Sequence, residues 1–128
     1  MSNRVLIVDD EKQVLDLFTK LLEKEKYAVK TAVSGEEALE MINKEDFDIV
    51  LLDIKMPGMG GIEALKRMKQ AKQNLIVILI TALGYDESLI KQCMELGCSG
   101  YIGKNVPISQ IISNFKLFVA KAKEKQNK

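Results

Sequence analysis

Five side chains in this sequence are of kinds that hold a hard cation or balance an anion, and each comes just after a run of apolar residues. Asp9 and Asp10 follow Val5-Leu6-Ile7-Val8, Asp53 follows Ile49-Val50-Leu51-Leu52, Thr81 follows Leu75 to Ile80, and Lys104 follows Ser99-Gly100-Tyr101-Ile102-Gly103. Three carboxylates, a hydroxyl and an ammonium are hard oxygen ligands plus hydrogen-bond donors for a charged group. Asp53 is the residue the others surround. A carboxylate can attack phosphorus and carry the group as an acyl phosphate, a transfer that needs positioning and charge neutralisation more than a base. Taken singly, each residue has a plainer role: an Asp caps a helix or starts a turn, a Thr sits in a turn, a Lys is solvated. Five such placements together are hard to obtain from caps and turns.

Composition removes several other chemistries. The chain has no histidine, so Ser-His and Cys-His nucleophile pairs and any histidine general base are absent. The only cysteines, Cys93 and Cys98, are too few for a Cys/His zinc site and read as small core residues on or just after a helix. No G-x-x-x-x-G-K-[ST] loop or other Gly-rich phosphate cradle follows a strand, so a bound nucleotide is not the reason for the acids. Nineteen basic and eighteen acidic residues leave a net charge of +1, which attracts neither nucleic acid nor an anionic membrane. There is no apolar stretch of about eighteen residues, and Met1-Ser2-Asn3-Arg4-Val5 leads straight into a strand, so a cytoplasmic protein is expected. A chain of 128 residues, 47% hydrophobic, suits one domain with its own core.

The elements that must position the five residues alternate. After the first strand, Val14, Leu15, Phe18, Leu21 and Leu22 form one stripe of a helix. Tyr27 to Ala32 predicts the second strand. Ser34 and Glu37 stand in capping-box relation, ahead of a helix with Ala38, Met41 and Ile42 on its apolar face. Asp48 to Asp53 is the central strand. Gly58-Met59-Gly60-Gly61 then opens a helix bearing Ile62, Leu65 and Met68, with no polar residue to cap it. Leu75 to Ile80 is unbroken apolar strand. Leu89, Ile90, Cys93 and Met94 mark a fourth helix, which Gly97 should end in the left-handed conformation. Ser99 to Ile102 is a short last strand, and Pro107 introduces a helix burying Ile108, Ile111, Ile112, Phe115, Phe118 and Val119. Beyond it, Lys121 to Lys128 reads as a solvated helix end without the interleaved aromatics of a nucleic-acid surface.

Five strands alternating with five helices over short loops predict right-handed βαβ crossovers: an α/β, three-layer, doubly wound parallel sheet. All carboxyl ends then share one rim. For the flavodoxin-like order 2-1-3-4-5, the crevice lies between the strands carrying the aspartates. Three carboxylates roughly 5 Å apart repel by about 3 kcal/mol per pair at an effective dielectric near 20, so a divalent cation is implied, Mg²⁺ or Mn²⁺ rather than caged calcium. With that cation on one side and Lys104 on the other, a phosphoryl group on Asp53 would have its charge matched twice, and Thr81 could donate to a third oxygen.

Val8-Asp9-Asp10, Leu52-Asp53-Ile54-Lys55-Met56-Pro57-Gly58-Met59, Ile80-Thr81-Ala82 and Tyr101-Ile102-Gly103-Lys104 resemble, in order and spacing, the four signature blocks of the receiver domain of bacterial two-component response regulators. The resemblance covers almost the whole chain. It implies a phosphoacceptor domain over residues 1–120 with a lysine-rich tail over 121–128. It implies that Asp53 takes a phosphoryl group from a phosphohistidine on a sensor kinase or histidine phosphotransfer protein. By the same resemblance Asp10, Asp53 and the main-chain carbonyl of Lys55 are direct Mg²⁺ ligands, and Asp9 acts mainly through water. Thr81 and Tyr101 resemble a switch pair that moves the face of helix four, strand five and helix five toward a target protein or output domain, with phosphorylation-dependent pairing of two copies as one outcome. Such a protein is a signalling acceptor whose only catalysis is directed at its own Asp53.

Two departures stand out, the first being that Gly60-Gly61 lacks the polar residue receivers often carry before the glycine. Receivers usually follow the lysine with proline in a cis bond. Asn105 stands there instead, so either the loop keeps a cis bond costing about 2.5–4 kcal/mol or a trans loop presents Lys104. By the resemblance, Lys55 and Leu83 occupy variable positions that in receivers influence how long the phosphoryl group survives, and Lys55 is expected to alter that lifetime. Among rivals, a flavin carrier of this fold needs a hydroxyl- and Gly-rich loop where this chain has acids. A haloacid-dehalogenase-type phosphatase needs an acid where Lys55 stands. A degenerate receiver that only binds partners should lack an acid or the lysine, and none is missing. Whether the chain acts as a phosphorelay intermediate, as a chemotaxis-type regulator or as the receiver of a longer regulator stays open.

Overall fold

The computed structural model describes residues 3–54, 59–81 and 87–126. Five strands and five helices alternate: β1 (Arg4–Val8), α1 (Lys12–Lys24), β2 (Ala28–Ala32), α2 (Gly35–Lys44), β3 (Ile49–Asp53), α3 (Gly61–Ala71), β4 (Ile76–Thr81), α4 (Glu87–Glu95), β5 (Gly100–Gly103) and α5 (Ile108–Gln126). The strands form one sheet in the order β2-β1-β3-β4-β5, every pair parallel. This is the expected doubly wound topology.

The unbroken apolar runs have a simple cause. Successive side chains of a strand point to opposite faces. Leu6, Val8, Val50, Leu52, Val77 and Leu79 therefore pack with Ala38, Ile42, Leu65, Met68 and Cys93 from α2, α3 and α4. Val5, Ile7, Ile49, Leu51, Ile78 and Ile80 pack with Leu15, Phe18, Leu22, Ile111 and Phe115 from α1 and α5. With helices on both faces, a central strand has no solvent side on which to place a polar residue. The edge strand β2 does, and only Ala32 of its five residues is fully buried.

Element ends decide where the loops go. Ser34 Oγ accepts from the Glu37 N–H, as its spacing predicts, but the Glu37 carboxylate reaches back to the Val33 N–H instead of completing the box on Ser34. At the end of α4, Gly97 takes φ +104°, its N–H donates to Met94, and the Cys98 N–H donates to Cys93. That is a Schellman ending, with the two cysteines at the paired C3 and C″ positions. The end of α1 repeats it with a lysine: Lys26 sits at φ +74° and the Tyr27 N–H donates to Leu22. Tyr27 therefore belongs to the helix ending and not to β2, one residue short of the expected start. Asp48 likewise stays outside β3. Its carboxylate accepts from the Arg4 N–H and its own N–H donates to the Arg4 carbonyl, tying the start of β1 to that of β3.

A glycine ties the start of α3 to the end of β3. The Gly61 N–H donates to the Ile54 carbonyl at 2.9 Å, and a Cβ on Gly61 would lie 2.4 Å from Ile54 Cα. Gly60 precedes it at φ +78° with no side-chain cap, so α3 begins with its backbone pressed onto the end of β3. Among the described residues, no helix is long and apolar enough to cross a membrane.

Candidate functional site

Parallel strands of nearly equal length bring their last residues to one level. Val8 pairs with Leu52, Asp53 with Ile80, and Thr81 with Gly103. Asp9 continues from β1, its N–H donating to the Ala32 carbonyl, and Lys104 continues from β5, its N–H donating to the Thr81 carbonyl at 2.7 Å. All of them stand at the carboxyl edge of the sheet, where open α/β folds bind ligands.

The three aspartates converge. One carboxylate oxygen from each of Asp9, Asp10 and Asp53 lies within 4.8 Å of the others. Asp9 and Asp53 are buried and Asp10 is exposed, so the cluster has one open side. Lys104 comes in from β5 with its side chain only 11% exposed, and its Nζ lies 2.8 Å from Asp9 Oδ2, 3.4 Å from Glu11 Oε1 and 3.5 Å from Asp53 Oδ2. The described peptide bonds are all trans, so the lysine reaches the acids from a trans loop and Asn105 needs no cis geometry.

The charges are finely opposed. Burial pushes the Asp9 carboxyl above its ordinary value, against the lowering pull of Lys104 and of the Glu11 N–H, which Asp9 Oδ1 accepts at 2.9 Å. Burial alone would lower the Lys104 ammonium. Its contacts with Asp9, Asp53 and Glu11 outweigh that and leave it raised. The close approach of Lys104 to Asp9 Oδ2 is an ion pair without hydrogen-bond geometry, and among the described residues this buried oxygen has no hydrogen-bond partner. A buried carboxylate oxygen balanced only by one ammonium among the described residues, beside two more acids, is a donor set that suits a hard divalent cation, with the open side left for water.

Asp9, Asp10, Asp53 and Lys104 thus meet as the sequence predicts. Thr81 is the last residue of β4 and is buried, one register step past the partner of Asp53. Tyr101 is 37% exposed and pairs in register with Leu79, which places it on the face covered by α2, α3 and α4. Lys55 and Leu83 lie outside the described residues. Glu11 is not among the five sequence candidates, because directly after two aspartates it reads as part of an acidic cluster, yet its Oε1 accepts from Lys104. One local sign existed: Glu11 is the N-cap of α1, where Ser, Thr, Asp or Asn is usual, and its side chain makes no cap bond.

Known proteins resemble this chain in sequence and in fold. Residues 5–116 match the family model described as response regulator receiver domain. Sporulation initiation phosphotransferase F of Bacillus subtilis is 40% identical over 119 residues, 93% of this chain and 95% of that protein. The crystal structure of a CheY-like response regulator receiver domain protein from Methanospirillum hungatei superposes with a TM-score of 0.89 at 29% identity, covering 98% of this chain and 99% of that one. NtrX from Brucella abortus superposes at 0.90 and 27% identity over 99% of this chain, which corresponds to 29% of that longer protein.

Proposed function

The chain belongs to the response regulator receiver domain family, and on that premise we propose that Asp53 is its phosphoacceptor, taking a phosphoryl group from a phosphohistidine on a sensor kinase or histidine phosphotransfer protein. The observation that carries this reading is the position of Lys104: its ammonium lies 3.5 Å from Asp53 Oδ2 while two further acids crowd the same carboxylate. An ammonium and a cation site on either side of one carboxylate match the charge of a phosphoryl group attached to it.

In the transfer, an Asp53 carboxylate oxygen forms the new bond to phosphorus as the P–N bond of the donor imidazole breaks. The imidazole nitrogen leaves with the electron pair. No general base is required, which suits a chain without histidine. Lys104 meets the developing charge on one phosphoryl oxygen, and the Thr81 hydroxyl donates to another. Asp10 and Asp53, with the carbonyl of Lys55, would hold Mg²⁺ directly, Mn²⁺ being the alternative, and Asp9 through water; when bound, the ion offsets the carboxylates and the incoming phosphoryl oxygens. Residues 1–120 serve as the receiver, and the lysine-rich end continues its last helix as far as Gln126, with Ala122 packed into the core, so the receiver does not stop at 120 as the sequence suggests. The face of α4, β5 and α5 carries the response to a target protein or output domain, in the cytoplasm. The name phosphotransferase on a relative matched over 95% of its length favours a relay role, in which the group is handed on.

Incubation with acetyl phosphate and Mg²⁺, followed by intact mass, tests the reading. The wild type should gain the mass of one phosphoryl group and Asp53→Ala should gain none. Equal labelling of both would sink the assignment.

A further inference from the structure

One ammonium at this site faces three carboxylates, and one of them has no part in the transfer described above. Glu11 Oε1 lies 3.4 Å from Lys104 Nζ, as close as Asp53 Oδ2 at 3.5 Å, and accepts a hydrogen bond from it. Its side chain is 63% exposed, against 4% for Asp53, so it pulls on the lysine from the solvent side. Nor is that side chain occupied with its helix. It makes no cap bond at the start of α1, and the Glu11 N–H is already taken by Asp9 Oδ1.

We propose that Glu11 is a positioning residue for the phosphoryl transfer: it shares the Lys104 ammonium with Asp9 and Asp53 in the resting site and must yield it when Asp53 is phosphorylated. This rests on the phosphoacceptor reading and adds to it a residue that sets how readily the lysine is released. A phosphoryl group of nearly two negative charges draws the ammonium inward more strongly than one exposed carboxylate holds it outward. Until the group arrives, the glutamate competes. Glu11 is therefore a brake on acceptance.

The test compares wild type, Glu11→Gln and Glu11→Asp for the rate of acceptance from acetyl phosphate with Mg²⁺, by intact mass, with Asp53→Ala as the blank. In that reaction the Asp53 oxygen bonds to phosphorus and acetate leaves with the electron pair of the broken P–O bond. Gln keeps the shape without the charge, and Asp keeps the charge but withdraws it by one methylene. Both should accept roughly two- to five-fold faster, the scale of an exposed ion pair. An unchanged rate in Glu11→Gln overturns the proposal. So does a wild-type rate in Glu11→Asp beside a fast Glu11→Gln, since then charge alone matters and not the hold on the lysine. A second measurement, thermal unfolding of Glu11→Gln, Lys104→Met and the double variant in EDTA, should show Tm changes that are non-additive by on the order of 1–3 °C. Additive changes overturn it as well. A wild type that takes no phosphoryl group sinks the phosphoacceptor reading itself, an outcome distinct from a labelled wild type that the glutamate variants match.

Discussion

At the scale of single residues, the site is a contest between burial and pairing, and Asp9 is where burial wins. Its carboxyl is raised above the ordinary value of 3.8, first by desolvation, in spite of Lys104 at 2.8 Å. The folded chain therefore keeps the Asp9 proton to higher pH than the unfolded chain does. Between the ordinary and the raised value the unfolded state binds fewer protons, so stability falls as pH rises through that window and the deficit persists at neutral pH. Asp9→Asn cannot ionise and lacks the deficit. In EDTA at neutral pH it should melt a few degrees above wild type, and the gain should shrink as pH is lowered toward the ordinary Asp range. Thermal unfolding of both proteins across that range checks it; a difference independent of pH would mean that burial of the charge is not the cause. The acids and the lysine were legible as residues because each follows an apolar run. Glu11 was not, because a glutamate directly after two aspartates reads as one more member of an acidic cluster.

At the scale of elements, the ends of strands and helices deliver these side chains, and the junction of β3 with α3 does so most tightly. Gly61 was visible in the sequence only as part of a Gly-rich loop. Its reason is the 2.9 Å hydrogen bond to Ile54 and the absence of room for a Cβ against Ile54 Cα. Gly61→Ala must push the helix start away from the residue that follows Asp53. A cost of about 1–3 kcal/mol is expected from forced overpacking, together with slower phosphoryl acceptance because Asp53 shifts relative to Lys104. Gly60→Ala is the useful comparison. Its φ of +78° imposes backbone strain, but among the described residues no atom lies within 4 Å of an added Cβ, so it should perturb stability without a steric push on β3. Urea unfolding and acceptance rates of the two variants separate the effects. If Gly61→Ala accepts at the wild-type rate, the clamp does not position the site. Other ends escaped the sequence for a similar reason: Lys26 at φ +74° takes a role that glycine usually signals, so β2 begins later than its apolar residues suggest.

At the scale of the molecule, the fold was readable because a fully covered parallel sheet writes itself as apolar runs separated by amphipathic helices, and strand polarity alone gathers the run ends on one rim. What run patterns do not encode is how far a side chain on an edge strand is covered. Tyr101 is 37% exposed on the β5 edge, while Thr81, at the end of the neighbouring strand, is buried. In the proposed switch, the Thr81 hydroxyl moves onto the phosphoryl group and the Tyr101 ring turns into the space it leaves. A ligand shifts such an equilibrium only through contacts that differ between the two states, and in the proposed switch the Thr81 hydroxyl would be that contact. Labelling the tyrosines with fluorine and recording their resonances before and after acetyl phosphate and Mg²⁺ should show the Tyr101 signal moving toward a buried environment, with the amides of α4 and α5 shifting beside it. In Thr81→Ala, Asp53 should still be phosphorylated, as intact mass will report, but Tyr101 should stay where it was. A Tyr101 signal that moves equally in both proteins would detach the ring from the hydroxyl and leave the α4-β5-α5 face responding to charge alone.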